Sequence, residues 1–120
     1  MSRGVAMGSR VLIVDDEADI CEVLQLVLRA AKYQADFVTS AQRALAVIAE
    51  YDLLVTDFRL GPPDVTGLDL ARVYKRLRPD GHVILLTGYT DLVSPHVDLV
   101  LTKPIDIDRL LSVTKQACAS

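Results

Sequence analysis

Apolar residues along this chain fall into two alternating kinds of block. Short unbroken runs occur at Val11–Val14, Leu53–Val55, Val83–Leu86 and Leu99–Leu101. Between them lie longer stretches in which apolar residues recur at helical spacing. The first run predicts a strand over Arg10–Val14. A helix over Glu17–Ala31 follows, with Ile20, Leu24, Val27, Leu28 and Ala31 inward and Asp16 placed as its cap. Gln34–Val38 alternates and predicts a half-exposed edge strand. Thr39 and Ser40 cap a second helix, Ala41–Glu50, with Ala44, Leu45, Ile48 and Ala49 inward. Leu53–Thr56 is the third strand, and L-G-P-P-D-V-T-G-L after it is a loop by composition. A third helix over Gly67–Leu77 uses Leu70, Val73, Tyr74 and Leu77, and Pro79-Asp80-Gly81 ends it. His82–Leu86 and Val97–Thr102 are the last two strands. The final helix starts after Pro104 with Asp106 as cap, and buries Ile107, Leu110, Leu111, Thr114, Ala117 and Cys118.

Strands alternating with helices imply right-handed βαβ crossovers and a parallel sheet. Continuous apolar runs belong to strands covered on both faces. The first, third and fourth strands are therefore central, and the alternating second strand lies at an edge. This predicts an α/β fold with a doubly wound, five-stranded parallel sheet in the order 2-1-3-4-5 and helices on both faces. Its switch point falls between strands one and three. Residues 88–96, G-Y-T-D-L-V-S-P-H, number nine between the fourth and fifth strands. A crossover with its helix needs roughly 10–12 residues, and Pro95 disfavours a helix further. The fourth helix is expected to be missing or reduced to one turn. Residues 1–9 carry no periodicity and read as a flexible tail, leaving 10–120 as one domain.

The bulk properties narrow the function. A hydrophobic content of 51% suits a sheet buried on both faces. No run approaches the roughly 18 apolar residues of a membrane span, and the N-terminus lacks the apolar core of a signal peptide. A cytoplasmic protein with no membrane partner is the simplest reading. Net charge is −3, and Arg72, Lys75, Arg76 and Arg78 lie on one predicted helix as its solvated face. No nucleic-acid partner is expected. Cys21 and Cys118 have no metal or redox spacing and read as reduced helix residues.

The strand ends carry the chemistry. The first strand stops at Asp15-Asp16, the third at Asp57, the fourth at Thr87 and the fifth at Thr102-Lys103-Pro104. Three acids, a hydroxyl and an ammonium thus reach one edge of the sheet. Clustered carboxylates repel unless a cation intervenes. Oxygen donors without His or Cys suit Mg2+, with Mn2+ as an alternative, rather than zinc. Acids, Mg2+, a lysine and a hydroxyl suit phosphoryl transfer, and a carboxylate can itself accept the group as an acyl phosphate. No P-loop or G-x-G-x-x-G turn is present, so a nucleotide is not the expected donor.

The ordered set D-D (Asp15-Asp16), T-D (Thr56-Asp57), L-T-G (Leu86-Thr87-Gly88) and T-K-P (Thr102-Lys103-Pro104) resembles the receiver domains of bacterial response regulators in two-component signalling. The resemblance covers about Arg10 to Ala117. It implies that Asp57 is phosphorylated and that Asp15, Asp16, Asp57 and the backbone carbonyl of Arg59 hold Mg2+. It implies that Lys103 pairs with the phosphoryl group, that Thr87 swings to bond it, and that the Lys103–Pro104 bond is cis. The implied function is a phosphorylation-dependent switch, not a conventional enzyme. A histidine kinase or phosphotransfer protein donates the group, and a downstream protein target reads it. The chain ends after the last helix, so no output domain is expected within it.

The chain departs from the family pattern twice. The loop R-L-G-P-P-D-V-T-G after Asp57 looks two residues longer than usual, and it borders the metal site. The segment after Thr87 is short, and Val100 stands where the family usually has an aromatic residue. Tyr89 is a possible substitute gate. Two rivals remain open: a receiver-like interaction module that is not phosphorylated, and a small Mg2+-dependent phosphatase. Phe58-Arg59 offers the latter no second acid after Asp57.

Overall fold

The computed structural model describes residues 9–61, 65–88 and 94–119. Five strands, β1 (Arg10–Val14), β2 (Gln34–Val38), β3 (Leu53–Asp57), β4 (His82–Thr87) and β5 (Leu99–Thr102), form one sheet. All pairings are parallel and the order is β2-β1-β3-β4-β5, as the apolar pattern predicts. Val14 lies opposite Thr56, Asp57 opposite Leu86, and Thr87 opposite Thr102. The carboxyl ends of four strands therefore finish level along one rim.

Strand alternation splits the core in two. Val11, Ile13, Leu53, Val55, Ile84 and Leu86 face α1 (Ala18–Ala30) and α4 (Ile107–Ala119), meeting Cys21, Leu24, Leu28, Leu110 and Val113. Leu12, Val14, Leu54 and Val83 face α2 (Ala41–Val47) and α3 (Gly67–Leu77), meeting Ala44, Ile48, Leu70 and Tyr74. Full burial of each large side chain stabilises by about 1.5–3 kcal/mol, so the sheet is held rigid from both sides. Gln25 and Arg29 of α1 reach over to the β2 edge and both donate to the Ala35 carbonyl, at 3.0 and 2.9 Å. That blunts an otherwise open edge.

Several local expectations change. Asp16 does not cap α1. Glu17 occupies the cap position without a side-chain bond, and it is the Asp15 side chain that accepts from the Glu17 N–H. The second helix stops at Val47 and tightens into a 3-10 turn over Ile48–Glu50; Leu45, on the outer side of the helix, and Ala49, in the turn, both lie outside the core. Leu77 is also exposed, because α3 ends there and turns away at Arg78. The fifth strand begins at Leu99 rather than Val97, after a turn in which the His96 N–H donates to Ser94 Oγ. Among the described residues there are four α-helices, and none lies between β4 and β5. Tyr89, the tail residues 1–8 and three residues of the lengthened loop (Pro62, Pro63 and Asp64) lie outside the described residues.

Candidate functional site

Asp15 follows β1 directly and its side chain turns inward, only 1% exposed. One carboxylate oxygen, Oδ1, accepts from the Glu17 N–H at 2.9 Å and starts α1. The other, Oδ2, is buried and has no hydrogen-bond partner among the described residues. The Cys21 thiol donates to the Asp15 carbonyl at 3.3 Å and braces the same turn from below. An unpaired buried carboxylate oxygen is costly, and the group responds. Burial, followed by the charges of Asp57 and Asp16, pushes the Asp15 pKa up to about 6, although the Glu17 N–H and Lys103 pull it back.

Asp57 closes β3 and is buried, while Asp16 is exposed beside Asp15. One carboxylate oxygen from each of Asp15, Asp16 and Asp57 lies within 4.8 Å of the others. Lys103, immediately after β5, places Nζ 2.6 Å from Asp57 Oδ1. Partial burial works against the Lys103 charge. The hydrogen bond and charge of Asp57 outweigh it and hold its pKa above the ordinary lysine value. Thr87 is buried at the end of β4, and its carbonyl accepts from the Lys103 N–H at 2.8 Å. The Lys103–Pro104 bond is cis, as the resemblance implies.

The loop after β3 is shaped to pass this cluster. Arg59 pairs with Thr66 in an isolated antiparallel bridge, which closes the lengthened loop on itself. Gly61 has φ +81°, a conformation other residues avoid, and a Cβ there would lie 3.6 Å from Asp16 Oδ2. Thr66 then starts α3 with a capping box: its hydroxyl accepts from the Asp69 N–H, and its own N–H donates to Asp69 Oδ2 at 2.9 Å. The Gly67 N–H donates to the Phe58 carbonyl at 2.8 Å. The helix start sits so close to β3 that a Cβ at Gly67 would clash with the Asp57 carbonyl oxygen.

Asp15, Asp16, Asp57 and Lys103 are thus drawn together. Thr87 shares their rim one strand over, and Arg59 sits on the bordering loop. The donor set is all oxygen, partly open at Asp16, and includes one orphaned buried oxygen. It fits a hard divalent cation that keeps some of its water. Two features went unread in the sequence. T-x-x-D at Thr66–Asp69 is a helix-start signature hidden in a loop-like stretch. Asp15, rather than Asp16, organises the first turn of α1.

An apolar groove of about 420 Å³ adjoins the rim, lined by Ile20, Val23 and Leu24 of α1 together with Pro104, Ile105 and Ile107. Val23 in its lining is 53% exposed, and Leu26, one turn further along α1, is 70% exposed. Among the described residues no helix is long and apolar enough to cross a membrane.

The family model described as "Response regulator receiver domain" matches residues 11–115. The chain is 34% identical over 116 residues to response regulator protein PilR of Pseudomonas aeruginosa, covering 90% of this chain and 26% of that one. It is 30% identical to transcriptional regulatory protein ZraR of Escherichia coli K12, covering 91% of this chain and 26% of that protein. The chain therefore spans about a quarter of the length of these relatives. Among solved structures, a CheY-like receiver domain protein from Methanospirillum hungatei superposes with a TM-score of 0.84 at 28% identity, covering 92% of this chain and 94% of the other. Response regulator TrrA from Thermotoga maritima, solved in complex with Mg(2+)-BeF, gives 0.80 at 31% identity, covering 91% and 98%.

Proposed function

The chain belongs to the response regulator receiver family, and from that premise we propose that it is a switch set by phosphorylation of Asp57. The observation that carries this reading is the Lys103 ammonium 2.6 Å from Asp57 Oδ1, beside a carboxylate cluster containing an unpartnered oxygen. A cation is already in place where negative charge will accumulate, and among the described residues the acidic, His or Cys side chains gathered there are the three carboxylates.

A carboxylate oxygen of Asp57 attacks the phosphorus of a phosphohistidine, presented by a histidine kinase or phosphotransfer protein. The new bond is O–P and the broken one is P–N; the imidazole leaves and takes up a proton. Lys103 neutralises charge on the transferring group, and the Thr87 hydroxyl, held at the adjacent strand end, donates to one of its oxygens. Asp15, Asp16, Asp57 and the Arg59 carbonyl are the residues that would hold Mg2+. Bound there, it would offset the negative charge of the acids and of the incoming phosphoryl group. Hydrolysis reverses the state: water attacks phosphorus, the acyl phosphate O–P bond breaks, and inorganic phosphate leaves with the Asp57 carboxylate restored.

The apolar groove along α1 and Pro104–Ile107 gives the phosphodonor a docking surface next to the acceptor. The acquired charge then changes contacts with a downstream protein. The setting is the cytoplasm, where such donors operate.

Incubation with acetyl phosphate and Mg2+, followed by intact-mass measurement, tests the proposal. The switch predicts a gain of one phosphoryl group, about 80 Da, that disappears in Asp57→Asn. No gain, even with a cognate kinase, would leave an interaction module. Sustained phosphate release from unrelated monoesters would indicate a phosphatase.

A further inference from the structure

β5 is a short edge strand that leads directly into the site residue Lys103. It has four residues, it pairs only with β4, and it arrives through a connection without a helix among its described residues. Register matters here more than elsewhere. A slip of one residue turns every side chain of a strand to the opposite face, and it would take Lys103 away from Asp57.

The structure pins this strand by its first turn. Asp98, just before β5, donates its N–H to the Val83 carbonyl at 3.0 Å and accepts the Val83 N–H on its own Oδ2 at 2.7 Å. Backbone and side chain thus close a two-bond ring on a single β4 residue. Lys75 of α3 adds a third tie, with Nζ 2.9 Å from the same Oδ2 and 2.8 Å from the Gly81 carbonyl. The Lys75 side chain is 21% exposed and the Asp98 side chain 39%, so solvent screens this pair in part, and its tie rests on the short contact together with the two Asp98–Val83 hydrogen bonds. Fixing Asp98 against Val83 sets Leu99 opposite Ile84 and Thr102 opposite Thr87. The Lys103 N–H then meets the Thr87 carbonyl, and its ammonium reaches Asp57.

We propose that Asp98, clamped by Lys75, is a positioning residue for the phosphoacceptor site: it fixes the register of β5 and thereby the reach of Lys103. It touches neither phosphoryl group nor metal. The inference rests on the reading of Asp57 as acceptor, but its geometric half does not. The Asp98 carboxylate can be replaced in graded steps. Asp98→Asn keeps an oxygen for the Val83 N–H and gives up the charge facing Lys75. Asp98→Ala gives up both, and Lys75→Met removes only the third tie.

The test uses the full chain and three readouts: amide hydrogen exchange at Lys103, Mg2+ affinity by titration, and the rate of Asp57 phosphorylation by acetyl phosphate. Asp98→Ala is expected to speed Lys103 amide exchange about tenfold or more. It should slow phosphorylation about tenfold, with Mg2+ affinity within about twofold of the parent because the acids stand on β1 and β3. Asp98→Asn should recover most of the rate, and Lys75→Met should fall between. Unchanged Lys103 exchange and unchanged phosphorylation in Asp98→Ala would overturn the proposal. So would a parallel loss of Mg2+ affinity, which marks general destabilisation. If the parent chain takes up no phosphoryl group, the functional reading fails. The Lys103 exchange result still decides the positioning claim.

Discussion

Lys103 Nζ rests 2.6 Å from Asp57 Oδ1, and the carbonyl of Thr87 holds the Lys103 main chain at 2.8 Å. The ammonium is therefore placed by backbone pairing rather than by a free side chain searching for a partner. Lys103→Ala should slow acetyl phosphate-dependent phosphorylation by about tenfold or more, because a preorganised charge at the transferring group is lost. Mg2+ binding should hold or tighten, since the acids lose a competing cation. Parallel phosphorylation and titration measurements check both.

The buried, unpartnered oxygen of Asp15 predicts a stability effect with a definite sign. Folding raises its pKa from 3.8 to about 6. The folded state thus binds this proton more tightly than the unfolded chain does. The stability it contributes is present in full below about pH 4 and is lost as pH rises through 6. A displacement of that size corresponds to about 2–3 kcal/mol. Without divalent cations, Asp15→Asn should melt several degrees higher than the parent at pH 7.5, and the gap should close towards pH 4. Added Mg2+ should stabilise the parent at pH 7.5 and have little effect on the variant.

The groove beside the rim predicts a separation of donors. Val23→Ala with Leu26→Ala trims exposed side chains that make no contact with Asp57. Phosphotransfer from a cognate kinase should fall about tenfold, the cost of one or two lost apolar anchors. The rate with acetyl phosphate, which needs no docking, should not change. Equal losses with both donors would show that α1 acts through the fold.

Gly67 is needed for the close approach of α3 to β3. Gly67→Ala should destabilise the chain by about 1–3 kcal/mol, because a Cβ would meet the Asp57 carbonyl. Chemical denaturation measures the stability change. The same shift of the Asp57 main chain should weaken Mg2+ binding.

The centre of the sheet was legible because β1, β3 and β4 are short continuous apolar runs bounded by turn signals, and the alternation of β2 marked it as an edge. Leu53–Val55 needs no tertiary context to be recognised, and the acid that follows it already marks the rim. Helix boundaries were less legible where local signals competed. Asp16 has the residue type and place of a cap in sequence, yet Glu17 takes the cap position and the inward-turned Asp15 accepts from its N–H. Leu45 and Ala49 fit the helical period, yet Leu45 stands on the exposed side of α2 and Ala49 in the 3-10 turn that follows Val47. The clasp of Asp98 by Lys75 was invisible because it joins residues on different elements, and neither carries a local pattern.

On the proposed reading, Asp57 accepts the phosphoryl group as an acyl phosphate. Borohydride reduces an acyl phosphate to the alcohol, so a phosphorylated aspartate becomes homoserine and can be located by peptide fragmentation. After treatment with acetyl phosphate and Mg2+, the account predicts homoserine at position 57 and none at positions 15 or 16. Homoserine at another acid, or a phosphoryl adduct that persists in Asp57→Asn, would contradict it.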